Sequence, residues 1–493
     1  MKPSMIALAV IFGIVLLGAI TGIYSGRRRQ MNLEQWTVAG RGFGVIFVWL
    51  LMAGEVYTTF AFLGASGWAY SRGGPTLYII AYLTLAYVIS FFILPEIWEA
   101  GRKFALHTES DFFQQRYGSK SLASLVAIVG VIFIVPYLQL QLTGLGIIVE
   151  VASLHAISRP LAMLIAFVIV AGFVFSSGIR AVAWVSVLKD SLMLIAAFSI
   201  GIGIPYHYFG GIRPMFKALT QAKAAHLTMP GSTSNLGHAW YISTVLLTAF
   251  GFYMWPHAFG SVFTAKSGDT LRRNAVIMPL YTITLPLLFF VGFTAILVLP
   301  GLKSGDLALL TLVSQTFPPW FLGVVGGAGA LTAMVPAAIL ILSAATLFAK
   351  NFFRPVFKPA MKDDEVAKLA KVMVVVITGI ALYFAIYSST TLVGLLLLAY
   401  AGIAQFFPGV VCGLYWKRVT TAGVFAGIVA GVGTAMALVL SKHDPFIGLN
   451  AGFVALCVNA VVTVVASVLS PAQQDGFNQP GSRVAASAGA ISG

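Results

Sequence analysis

Charge is what this sequence has least of. Asp, Glu, Lys and Arg together make up 9% of its 493 residues, hydrophobic residues make up 59%, and mean hydropathy is +0.93. A soluble domain carries about a quarter charged residues, so a water-soluble fold and a disordered chain are both excluded. What remains is an all-α polytopic membrane protein. Cysteine is nearly absent as well: only Cys412 and Cys457 occur, both inside apolar runs, which excludes a disulfide framework and a cysteine-held metal. No nucleophile triad, metal-ligand spacing or phosphate loop is found, so no enzyme and no bound cofactor are expected. Acidic residues number 15 against 30 basic ones, a net charge of +15. In a soluble protein that excess would suggest nucleic acid; here the placement of the charges along the membrane flanks removes that partner.

Thirteen apolar runs are long enough to span a bilayer: about 4–25, 43–69, 75–99, 121–152, 159–177, 180–206, 238–264, 275–300, 319–348, 368–388, 390–416, 420–441 and 446–469. Met1 to Ser25 lacks a small-residue cleavage site and reads as a retained first span. About three quarters of the Lys and Arg fall in segments on one side, among them Arg27, Arg28, Arg29, Arg102, Lys103, Lys189, Arg272, Arg273 and Arg483. The positive-inside rule then puts the N-terminus outside and the C-terminus in the cytoplasm, in the plasma (inner) membrane. Residues 1–469 form one transmembrane domain, and 470–493, small and polar, a disordered cytoplasmic tail. Two outer segments, 207–237 and 301–318, are long enough to act as gates, and the second has the period of an amphipathic helix lying at the interface. Gly423, Gly427 and Gly431 recur at a spacing that lets helices approach closely.

The second run contains MAGEVYTTFAFLG, with Gly54, Glu55, Tyr57, Thr58 and Thr59 together. A helix starting near Gly42 carries Glu55 about 18 Å along its axis, near the middle of a hydrocarbon core about 30 Å thick. A carboxylate at that depth marks a functional site unless it is paired only for packing. The seventh run, AFGFYMWPHAFG, clusters Gly251, Pro256 and Gly260, which weaken the helix and free backbone groups to face a ligand. Around these two interruptions lie Tyr57, Thr58, Thr59, Tyr137, Gln141, Tyr253, Trp255, His257 and Tyr400, hydrogen-bonding groups on aromatic walls that suit a molecule of a few heavy atoms.

Six phrases, in order from about residue 32 to 431, carry a resemblance: NLEQWTVAGR, TESDFFQQRYGSK, YLQLQLTGLG, SGIRAVAWVSVLKDSLML, WPHAFGSVFTAKSGDTLRRN and GLYWKRVTTAGVFAGIVAG. Together they resemble the solute:sodium symporter family. The resemblance implies thirteen helices and a LeuT-like fold, with helices 2–6 and 7–11 as inverted repeats whose first helices are broken at the substrate site. GEVYTTFAFLG and TLFAKN look closest to the branch that moves acetate, pyruvate and similar short monocarboxylates. The expected function is ion-coupled uptake of such an acid, its partners being the carboxylate, a coupling cation and membrane lipid. Symport of proline, pantothenate or another small solute is the alternative; a channel or sensor keeping the fold is a third, disfavoured by the broken repeats and by the lack of a kinase or receiver segment after Leu469.

The resemblance places a sodium ion between carbonyls of the first broken helix, here Gly54 and Tyr57, and a hydroxyl pair on helix 9. That pair falls on Val335 and Pro336, and the nearest hydroxyl is Thr332. Val185 and Ser186 stand where many relatives carry Thr-Asp. A hard cation wants several oxygen ligands, so the site looks depleted for sodium, while Glu55 adds a titratable group at the same depth. The coupling ion is therefore proton or sodium, with Glu55, Gly54, Tyr57 and Thr332 as the coupling residues.

Overall fold

A computed structural model describes residues 2–26, 39–154, 156–176, 179–231, 235–473 and 476–477. Arg27, Arg28, Arg29, Arg483 and most of NLEQWTVAGR lie outside the described residues. A lipid-facing backbone has no water to bond, so it satisfies its amides inside helices. Among the described residues the regular structure is helical, with two isolated β-bridges besides.

Among the described residues ten helices are long and apolar enough to cross a bilayer, and the bent pair Val45–Val56 and Phe60–Arg72, counted as one span, makes eleven. The expected thirteen is not reached on length and apolarity alone. The fifth run gives a shorter apolar helix, Arg159–Gly172, and the seventh divides into His238–Gly251 and Pro256–Val262. That division is one of two that organise the molecule. In the first, the chain bends by 58° between Val56 and Phe60, and Tyr57 leaves helical geometry at φ −87°, ψ 83°. In the second, Trp255 is extended at ψ 128°, as a residue before proline prefers, and Pro256 opens the next helix where its missing N–H costs nothing. Each half of the expected inverted repeat thus opens on a broken helix. The two are tied at their ends: Phe43 N donates to Thr264 O at 3.0 Å and Lys266 N to Phe43 O at 2.9 Å.

Pro319–Thr346 runs through the centre and is nearly all buried, in keeping with its sequence, which is small and apolar on every face. Ala308–Thr316 is buried through Leu309, Leu310, Leu312 and Val313. Its amphipathic period therefore faces neighbouring helices and not a membrane interface, and Asp306 just before it accepts a hydrogen bond from Leu392 N at 3.1 Å. Thr421–Leu440 and Ala451–Leu469 pack face to face with Gly423, Gly427 and Gly431 at the contact, so the glycine spacing serves a seam within one chain. Beside this contact, Thr463 Oγ1 donates to Asn459 Oδ1 at 3.0 Å within the last helix, and Asn459 Nδ2 donates to Gln405 O at 2.7 Å. Of the tail expected to lack order, the described part is docked. Gln473 Nε2 donates to Tyr117 O at 2.8 Å, and the Phe477 ring stacks on Phe104 at 5.2 Å.

Candidate functional site at the two helix breaks

Gly54 sets the first distance. A Cβ there would stand 2.8 Å from Ser186 Oγ, so glycine lets the first broken helix lie against Ile179–Phe209. That approach brings the Lys189 ammonium onto the break: Nζ donates to Gly54 O at 3.0 Å and to Tyr57 O at 3.2 Å, and pairs with Asp190 Oδ1 at 2.9 Å. Lys189 is fully buried. The charge pattern assigns it to the positive flank of its span, and the structure corrects this: it lies ten residues inside the helix. Asp190 is held in turn by the Tyr281 hydroxyl at 3.1 Å, and the Tyr281 ring packs on Tyr57 at 4.1 Å between centroids.

On the other side of the break, Glu55 accepts a hydrogen bond from the Ser261 hydroxyl, which joins the first broken helix to the second. Tyr137 donates to Glu55 O at 3.2 Å, and its ring lies 4.7 Å from Trp255, itself edge-on to Tyr400 at 5.2 Å. These groups enclose a cavity of about 30 Å³, walled by Glu55, Tyr137, Tyr253, Trp255, His257 and Tyr400 with apolar neighbours such as Met52, Val56 and Phe60. That volume holds about one water, so a ligand of several heavy atoms enters only as the walls part. His257 Nδ1 is buried without a hydrogen-bond partner among the described residues, and the same ring borders a second cavity of about 50 Å³ with His107, Thr108 and Ser343.

Of the nine residues expected around a substrate, five thus line the cavity: Tyr137, Tyr253, Trp255, His257 and Tyr400. Four do not. Thr59 Oγ1 donates to Gln141 Oε1 at 2.7 Å, fastening the break to the fourth span, and Thr58 Oγ1 accepts from Phe60 N at 3.2 Å. Tyr57 points to Tyr281. Thr332 turns its hydroxyl back to Ala328 O at 2.7 Å, within its own helix. Lys189, Asp190, Ser261 and Tyr281 were outside the expected set. For the first two the signal was present, a Lys-Asp pair inside an apolar run.

Beyond the second cavity two of the quoted phrases meet. Asp111, from TESDFF, accepts from Lys350 Nζ at 2.7 Å and Asn351 Nδ2 at 2.8 Å, from TLFAKN, and caps its own helix at Thr108 N. Burial alone would raise this carboxyl. The Lys350 charge, with hydrogen bonds from Lys350, Asn351 and the His107 backbone, overrides burial and holds it at about 2. A folded-state value below the unfolded one of about 3.9 stabilises the fold above that pH, and the contribution is lost as pH falls through the folded value. At neutral pH the clasp is fully charged, and Asp111→Ala should lower thermal stability by about 2–3 kcal/mol, read from the melting temperature in detergent. Asp111→Asn, which keeps the cap but not the charge, should fall between.

Paired helix breaks around one buried cavity in a bundle of spanning helices define a membrane transporter of the inverted-repeat kind. Residues 36–431 match the sodium:solute symporter family, and the chain belongs to it. It is 46% identical over 479 residues to an uncharacterized symporter, YhjB, of Bacillus subtilis (strain 168), covering 94% of this chain and 97% of that one. It is 31% identical to a monocarboxylate transport permease protein of Rhizobium johnstonii, covering 95% and 97%. Among solved structures it shares its fold with a Na+-coupled sialic acid symporter in a substrate-bound outward-open state, at a TM-score of 0.79 and 17% identity over 95% of this chain and 98% of the other.

Proposed function

We propose that this chain takes up a small monocarboxylate such as acetate, pyruvate or lactate by cation-coupled symport and alternating access, in the plasma membrane with its N-terminus outside and C-terminus in the cytoplasm. One observation carries the substrate class. The cavity between the breaks offers the neutral donors Tyr137, Tyr253, Trp255 and His257 on aromatic walls, with no Lys or Arg among its lining residues. Such a wall suits a short acid with one polar end and a few carbons, and has no counter-charge for a larger dianion. The Rhizobium permease supports the same class by its name. The orientation rests on the basic flanks.

The test is uptake of labelled acetate or pyruvate into proteoliposomes, competed by a panel of acids and amino acids. Short monocarboxylates should compete, while proline and pantothenate leave uptake unchanged. Competition by proline or pantothenate with none from short acids would replace this reading by the alternative. Trp255→Ala removes the central wall between Tyr137 and Tyr400 and should weaken apparent affinity by about tenfold, the effect of losing one well-packed aromatic contact of about 1.4 kcal/mol.

A further inference from the structure

A symporter that couples to sodium needs a cluster of oxygen atoms left free for the ion. Here the two carbonyls that the resemblance places on sodium, Gly54 O and Tyr57 O, already receive an ammonium from the protein itself. We propose that the Lys189 ammonium is a tethered replacement for the coupling sodium, so that this chain binds and carries no sodium at the break of its second span. The inference rests on the chain being a symporter and goes beyond it by assigning what fills the cation position.

Three independent features fit a fixed ammonium better than a bound ion. First, the ammonium has three N–H donors, and three acceptors surround it: Gly54 O, Tyr57 O and Asp190 Oδ1. Second, the hydroxyls that would complete a sodium shell are missing. Val335 and Pro336 have none, Thr332 donates to Ala328 O, and Ser186 donates to Val182 O at 3.0 Å. Third, the charge is balanced without an added cation, because Lys189 and Asp190 neutralise each other and Tyr281 steadies the carboxylate. The charged and titratable groups facing Lys189 are few. They are Glu55 and Tyr57 of the first broken helix, Tyr281, and its own neighbour Asp190. The other helices packed on this segment, Thr284–Val298, Ala308–Thr316 and Pro319–Thr346, contain no acidic or basic residue, and the described side chains of Pro3–Gly26 include none either. Arg213, Lys217 and Lys223 belong to the helix that follows Phe209, at the far end.

The consequence is that a sodium ion would have to displace a covalently attached cation from its own ion pair. Loss of the ammonium, conversely, would leave two carbonyls without this donor and a carboxylate held by Tyr281 but with no counter-charge, an oxygen set of the sort a hard cation takes. The wild-type protein in detergent should therefore show the same melting temperature in sodium as in potassium at equal ionic strength, and its uptake at fixed pH should change less than about twofold when sodium is replaced by potassium. Lys189→Met, which keeps the apolar stem, should acquire a saturable sodium-specific rise in melting temperature and lose about tenfold or more of uptake in sodium-free buffer. A saturable sodium-specific stabilisation of the wild type, or its uptake collapsing without sodium, would overturn the proposal, as would a folded Lys189→Met protein with full sodium-free uptake. The wild-type melting measurement needs neither substrate nor variant. If no short acid is transported, the substrate reading fails while this readout still decides the cation.

Discussion

Glu55→Gln is expected to abolish concentrative uptake, by about tenfold or more, while leaving one-for-one exchange of substrate within about twofold of wild type. Glutamine keeps the shape of the side chain and an acceptor for the Ser261 hydroxyl, so the bridge between the two broken helices survives. What is lost is the ability to take up and give off a proton. If a monocarboxylate occupies the cavity that Glu55 lines, two carboxyl groups share one dry site. At about 5 Å and an effective dielectric near 20, two full negative charges repel by about 3 kcal/mol, on the order of a hundredfold in affinity. On that condition one of the pair must hold a proton, and each acid that enters would bring one with it. Once Glu55 releases that proton on the other side, repulsion helps expel the substrate. In Glu55→Gln the repulsion is gone, so the acid binds and exchanges but the proton gradient no longer drives it. Measurements of labelled acid in proteoliposomes, with an imposed pH gradient and then in counterflow, separate the two. Wild-type accumulation in the variant would show that Glu55 carries no coupling proton.

The second large effect is on folding. Gly427→Leu should leave little monodisperse protein after solubilisation. A Cβ at Gly427 would stand 2.6 Å from Asn459 Oδ1 and press on the Thr463 hydroxyl, the two hydrogen-bonded polar groups that the last helix turns toward this contact. Overpacking costs about 1–3 kcal/mol, and each buried polar group stranded when the seam parts costs about 1–3 kcal/mol more. The sum is a large share of a stability of about 5–15 kcal/mol. Gly433, on the same helix, is exposed with open space around it, so Gly433→Leu is the matched control. Size-exclusion profiles and melting temperatures should separate the two; equal behaviour would mean the seam yields.

Much of the architecture could be read from residue order because a bilayer leaves so few options. Apolar runs of the right length must be helices; Pro256 marks where one of them resumes after its break, while the other gives way at Tyr57, three residues beyond the expected Gly54. Glu55 was legible for the same reason, a charge where charge is costly. Lys189 carries the same signal, a Lys-Asp pair inside the 180–206 run, but counting every basic residue toward the positive flank hides it. Membership of the cavity was only half legible. Thr58 and Thr59 follow Glu55 within four residues, but the chain bends by 58° there, so Thr59 is spent on Gln141 and Thr58 on the Phe60 amide. Rotation about a broken axis is a tertiary property, set by what packs on each piece. The amphipathic stretch before Pro319 misled in another way: its apolar face was real, but other helices and not lipid cover it.

The docked tail joins parts of the protein far apart in the chain. Gln473 reaches both Thr421 and Tyr117, and Phe477 lies between Phe104 and Phe112, one residue from Asp111 in the clasp on Lys350. Gln473 and Phe477 thus strap the end of the chain beyond the last helix to the segment that borders the second cavity. For anyone building on this scaffold, the place to cut or to append is settled by that strap. A fluorescent protein or affinity handle belongs well beyond Phe477, where it hangs from a secured anchor, and a deletion reaching back past Gln473 unbuckles the last helix pair from the clasp while removing no membrane-spanning residue.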